Sequence, residues 1–112
     1  MVNNFNGESG RVFISGKMRG MEEREWRKRF ERAELNLILS GWHPENVINP
    51  AKLSLIYPNL SRAAYMQIDL KLLEECGTIY VLDNWKESQG AKMEMEKAQQ
   101  LNLTVIVEGE TE

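Results

Sequence analysis

Two carboxylates fall on helix faces that ought to be apolar. The stretch from Thr78 to Leu101 reads as a buried strand (Thr78 to Leu82), a polar loop (Asp83 to Gln89) and a helix that starts near Ser88 to Gly90. On a helical wheel Ala91, Met95, Ala98 and Leu101 share the stripe that must pack on the sheet, with Glu94 inside that stripe and Glu96 opposite it. The preceding helix, Arg62 to Glu75 with Ser61 as its N-cap, repeats the anomaly: Tyr65, Ile68, Leu72 and Cys76 define the buried stripe, and Asp69 lies within it. A carboxylate on a packed face costs several kcal/mol unless it is paired or hydrogen-bonded. Two such acids can perform acid–base work or attack an electrophilic carbon. The helix carrying Glu94 also begins just past the C-terminal end of a strand, where open α/β sheets bind ligands. The bland alternative is a partly buried acid beside a neighbouring Arg or Lys. The two acids meet only if their helices lie on the same face of the sheet.

A second candidate is the turn Gly16-Lys17-Met18-Arg19-Gly20, which brackets two cations with glycines between a strand and a helix. Such a turn can present backbone N–H groups and positive side chains to an anion; it reads equally well as a tight turn with solvated cations. Cys76 is the single cysteine and His43 the single histidine. Cys76 closes an apolar helix face and reads as a packed, unreactive thiol, and this pair of residues argues against a zinc site or a Cys/His catalytic pair. No metal or cofactor is expected.

The elements that must position these residues follow from the apolar pattern. At 112 residues, 42% hydrophobic and 28% charged, the chain is about one domain with an ordinary composition for a soluble protein. A net charge of −3 argues against a nucleic-acid polymer as partner. No apolar run approaches the roughly 20 residues of a membrane span and no signal pattern opens the chain, so a cytoplasmic protein without a membrane partner is expected. Residues 1–10 read as a flexible leader and 109–112 as an acidic tail, leaving one domain over 11–108.

Arg11 to Ser15 suits a central parallel strand. Met21 to Ser40 is helical, with Trp26, Phe30, Ala33 and Leu37 on one stripe; Glu23, Arg24, Arg27, Lys28, Arg29 and Glu31 form a mostly solvated face. Gly41 stops this helix. An irregular strand lies around Val47 to Asn49, and Ala51 to Leu60 is a long apolar connection, either a lid over a pocket or a short helix at the core edge. Leu103 to Val107 is a continuous apolar strand. Alternating strands and helices without a hairpin signal predict a three-layer Rossmann/flavodoxin-like α/β sandwich with a parallel four-stranded sheet and right-handed crossovers.

Three segments in this order, Ile14-Ser15-Gly16-Lys17-Met18-Arg19-Gly20, Tyr65-Met66-Gln67-Ile68-Asp69-Leu70 and Trp85-Lys86-Glu87-Ser88-Gln89-Gly90-Ala91-Lys92-Met93-Glu94, resemble the nucleoside 2-deoxyribosyltransferase-like family. The likeness is to its short bacterial and phage members and, beyond them, to the deoxynucleoside 5′-monophosphate N-glycosidases. It implies that Glu94 attacks the anomeric carbon of deoxyribose, that Asp69 contacts the sugar or assists at the base, and that Ser88 contacts a 5′-phosphate. Ser15, Gly16, Lys17 and Arg19 match the loop beside the nucleotide. Phe13 stands where the better-known relatives often carry a tyrosine whose hydroxyl helps set the nucleophile. Lys92 replaces a small residue and could pair with a ligand phosphate or stay in solvent.

The chemistry fits the residue types. Cleaving an N-glycosidic bond develops oxocarbenium character that a carboxylate can stabilise and trap, and a carboxyl separation of roughly 5 to 9 Å would suit such assistance. The N–H groups of Gln89 and Gly90 could hold a phosphate, and Tyr65 or Trp85 could stack on a base. The expected ligand is a nucleoside or nucleotide, and the expected protein an N-glycosidic-bond hydrolase or deoxyribosyl transferase, working as a homo-oligomer. Two alternatives stand beside it: a non-catalytic nucleotide sensor, and an assembly subunit built on the apolar Leu53 to Leu60 connection.

Overall fold

Val12–Ser15 forms strand β1, whose four side chains are all buried, as a run of Val, Phe, Ile and Ser must be if helices cover both faces of a sheet. The computed structural model describes residues 10–110; the expected leader lies outside them except for Gly10, as do the last two residues of the expected tail. Strands β2 (Val47–Ile48), β3 (Thr78–Val81) and β4 (Thr104–Val107) complete a four-stranded sheet in the order β2-β1-β3-β4. Every pairing is parallel, with Val12 opposite both Val47 and Thr78, and Thr78 opposite Thr104.

The period-two alternation of the strands splits the core into two layers. Val12, Ile14 and Leu82 pack with Phe30, Ala33 and Leu37 of helix α1 (Glu23–Leu39). Phe13, Ile79 and Val81 pack on the other side with Leu73 of α3 (Arg62–Leu73) and with Met95 and Ala98 of α4 (Gln89–Gln100). The result is the expected three-layer α/β sandwich. The short helix α2 (Leu53–Ile56) sits in the connection that leads to α3.

Local signals act where the sequence places them. Gly41 takes φ +116° just past α1, a conformation that glycine alone adopts cheaply. Ser61 Oγ accepts the N–H of Ala64 at 3.1 Å to start α3, and Ser88 Oγ accepts that of Ala91 at 3.0 Å to start α4.

Four expectations are corrected. The second strand ends at Ile48 because Asn49 caps the 3-10 turn Pro50–Lys52, its Oδ1 accepting the Ala51 N–H at 3.0 Å. Strand β4 is an edge, so Thr104 and Val105 are exposed although the run reads as apolar. In α3 the sheet-facing residue is Leu73, fully buried, while Leu72 is half-buried. Leu101 lies past the end of α4 and is exposed.

The solvated face of α1 is also less simple than its charges suggest. Arg27 pairs with Glu23 at 2.7 Å as an i,i+4 contact, and it also donates to the Ala51 carbonyl at 2.8 Å and to Ser54 Oγ at 2.7 Å. It therefore ties α1 to the segment carrying α2. Outward from that segment, Leu55, Ile56 and Tyr57 are exposed.

Candidate functional site

A cleft of about 680 Å³ opens over the C-terminal edge of the sheet. Its walls come from the turn after β1, the segment after β2, and the loop and helix start after β3. In the strand order β2-β1-β3-β4 the chain leaves β1 to one side and then returns to its other side, so the C-terminal ends of β1 and β3 form the switch point where parallel sheets leave a crevice. The cleft is that crevice.

Asp69 and Glu94 both line it. Their helices lie on the same face of the sheet, so the two inward acids converge. Glu94 is 5% exposed and Asp69 9%, and among the described residues neither takes part in an ion pair with a cation. The neighbouring-cation alternative is therefore not what the fold uses.

Burial pushes the Glu94 carboxyl well above its ordinary range, and the charge of Asp69 pushes it the same way. Burial also raises Asp69, to about 6, while its contact with Glu94 acts in the opposite direction. Two carboxylates in hydrogen-bonding reach of each other bond only if one carries a proton, and Asp69 Oδ1 has no donor. Burial and the closeness of like charges therefore both favour a proton on the pair. The two side chains lie within hydrogen-bonding reach of each other.

Ser15 is fully buried at the end of β1 and donates its hydroxyl to Glu94 Oε1 at 2.5 Å. The sequence reading places Ser15 beside the ligand; the fold gives it to Glu94 instead. Its side chain leaves the strand on the same face as Phe13, two residues earlier, by the alternation of the strand.

The glycine turn is shaped by close contact. A Cβ on Gly16 would lie 2.5 Å from Leu82 Cδ1, so only glycine lets the chain leave β1 over that side chain. Gly20 has φ +88°. Asn84, buried after β3, accepts the Lys17 backbone N–H at 3.2 Å and donates to Met21 Sδ at 3.6 Å, which pins both ends of the turn. Gly16 and Arg19 line the cleft; Lys17 does not, and its ammonium pairs with Glu87 at 3.2 Å.

At the opposite wall Ser88 and Gly90 line the cleft at the start of α4. Ser88 Oγ is used as an acceptor by the helix cap, which leaves its O–H to donate. A Cβ on Gly90 would sit 3.1 Å from Met66 Cε, tight enough to disturb the α3 side of the wall. Tyr65 lines the cleft, with its hydroxyl donated to the Tyr57 carbonyl. Lys92 and Trp85 are not brought to the site. Lys92 is exposed on α4, and Trp85 packs against the core under α3 and α4.

Three contributors are not read from the sequence as site residues. Arg62 lines the cleft from the first turn of α3, where the helix dipole disfavours a cation; that misplacement was its signal. Trp26 and Met66 also line the cleft. Trp26 reads as core because it opens the buried stripe of α1, yet it sits at the end of that stripe nearest the strand ends. Among the described residues no group of three or more His, Cys, Asp or Glu side chains is placed to hold a metal ion. No helix among them is long and apolar enough to cross a membrane.

Fold and cleft define a small parallel α/β domain with a buried acid pair at its topological switch point. The chain belongs to the family described as a domain of unknown function, DUF4406, whose profile matches residues 10–107. No curated protein and no solved structure matches it.

Proposed function

We propose that the protein binds a deoxynucleoside 5′-monophosphate and cleaves or transfers at its N-glycosidic bond. The observation that carries this reading is the convergence of Asp69 and Glu94, both buried and, among the described residues, without an ion-pair partner, in a cleft also lined by Arg19, Arg62 and the start of α4. An acid pair that costs folding stability is explained if a ligand uses it. The two arginines and the Ser88 hydroxyl suit a phosphate at the other end of that ligand.

The reaction needs one proton in the pair. Glu94, the more deeply buried and more strongly raised acid, holds it at rest, so ligand binding must move it to Asp69; Glu94 is then ionised and its oxygen attacks the anomeric carbon as the carbon–nitrogen bond breaks. The bonding electrons leave with the base, which takes the Asp69 proton, and the sugar is held as an ester of Glu94. Water, or a second base, then attacks the same carbon, gives its proton to Asp69 and frees Glu94. Ser15 stabilises the ionised Glu94 through its hydrogen bond, and the N-terminal end of α4 favours negative charge there.

Incubation with deoxynucleoside monophosphates, followed by chromatography of free base, tests the reading. Base is released by the wild type, and Glu94→Ala lowers the rate by at least about a thousandfold. Release that survives Glu94→Ala removes the mechanism. The raised Glu94 carboxyl and the direct contact of the pair favour one second reading, a nucleotide sensor that binds without turnover. Saturable binding by calorimetry with no base released would establish that reading in place of the first.

A further inference from the structure

The cleft is chemically two-sided. Its polar lining carries the acid pair, Arg19, Arg62 and the α4 start; its apolar lining includes Met18, Met21 and Trp26 around the beginning of α1, and Leu53 of α2. Trp26 is fixed in place by its neighbours. The Arg27 guanidinium lies 4.5 Å from the centre of its ring, and Phe30 meets it edge-on, with centroids 6.4 Å apart at 84°. Arg27 is itself held by Glu23, the Ala51 carbonyl and Ser54. An indole braced in this way is a pre-organised aromatic surface that loses little freedom when a ligand arrives.

We propose that this wall is the base-binding subsite, with Trp26 as its aromatic anchor, and that it accepts purines and pyrimidines alike. The inference rests on the nucleotide reading above and adds where the base sits and how it is recognised. Two observations carry the tolerance. The hydroxyls beside the wall are already committed: Ser54 Oγ accepts from Arg27 and donates to the Ala51 carbonyl, and the Tyr65 hydroxyl donates to the Tyr57 carbonyl. They do not read the edge of a base. The surface beside the indole is apolar, Leu53, Met18 and Met21, and the unbranched Met18 side chain can repack around rings of different size. Aromatic stacking is itself indifferent to base identity, since every base has a π-face.

Calorimetry on the Glu94→Gln protein, which binds without turning over, separates the base from the rest of the ligand. The probes are dAMP, dCMP and 2-deoxyribose 5-phosphate. The two nucleotides bind within about tenfold of each other, and the sugar phosphate binds roughly 5- to 100-fold more weakly. Adding Trp26→Ala removes that advantage and leaves sugar phosphate affinity unchanged, whereas Trp26→Phe, which keeps an aromatic ring in the same packing, retains most of it. Equal affinity for all three probes, discrimination between the nucleotides beyond about a hundredfold, or a Trp26→Ala loss shared by the sugar phosphate overturns the subsite while leaving the nucleotide reading in place. Failure of all three probes to bind overturns both.

Discussion

Helices α3 and α4 bring charged groups together in two places, and the two places are opposites. Just past the end of α3, Glu74 receives Lys97 of α4 at 3.1 Å and Lys71 of its own helix at 3.5 Å. The hydrogen bond from Lys97 holds the Glu74 carboxyl below its ordinary value. Earlier along α3, Asp69 meets Glu94 away from water, and both carboxyls are pushed up. A chain that neutralises an acid in the open with two lysines leaves a second acid unneutralised where neutralisation matters most for folding. A local break in otherwise consistent packing is the kind of feature that function retains at a cost in stability.

The largest effect that separates the two places is on stability against pH. Asp69 rises from 3.8 to about 6, so the unfolded chain gives up this proton at lower pH than the folded chain does. The penalty is absent below about pH 4, grows through the window and is complete once the pH passes 6 and Asp69 is ionised in both states. Stability therefore falls as pH rises, by about 3 kcal/mol over the first titration step of the coupled pair, and the second step extends the fall to higher pH. Asp69→Asn removes one titrating group and gives Glu94 an amide donor. Urea denaturation between pH 4 and 8.5 should show the wild type weakening and the variant holding, with the variant the more stable of the two above pH 7. Equal slopes would mean that the inner pair is no more strained than the outer one.

A smaller effect sharpens the role of Ser15. Its hydroxyl favours the ionised form of Glu94, so Ser15→Ala raises that carboxyl further and moves the acid limb of the kcat/KM profile to higher pH. The rate at neutral pH falls about tenfold, the worth of one hydrogen bond to a charged group. Ser15→Thr, which keeps the hydroxyl, restores the position of the limb. A uniform loss of rate with the limb unmoved would reduce Ser15 to packing.

Much of this contrast is legible in the sequence because helical periodicity is local. The stripe of Ala91, Met95 and Ala98 fixes the direction of Glu94 without knowledge of the fold; Asp69 is read less sharply, since its sheet-facing neighbour is Leu73 and Tyr65, Ile68 and Leu72 are only half-buried. What periodicity cannot fix is which layer a helix joins, so whether the acids meet depends on the path of the chain around β1. The same limit explains Trp85 and Trp26. Both are half-buried aromatic residues near strand ends, but a 3-10 turn at Trp85–Glu87 carries Trp85 against the core layer of α3 and α4 and away from the cleft, while the start of α1 leaves Trp26 lining it. Lys17 and Ser15 follow from tertiary partners, Glu87 and Glu94, that lie 70 and 79 residues away. The edge position of β4 likewise depends on neighbours distant in the chain.

The smallest effect belongs to the outer contact. Lys97→Met removes the charge but keeps the aliphatic stem that lies along the helix interface. Glu74 retains Lys71 and open access to water, its side chain being 37% exposed. A pair in that setting gains little over solvation and is screened by salt. The melting temperature should shift by about 2 °C or less, the shift should vanish in high salt, and base release should be unchanged. A larger loss would mean that Lys97 sets the spacing of α3 against α4. The inner acids would then owe their contact to the outer pair, and the two places would be one coupled device instead of a stabilising contact beside a strained one.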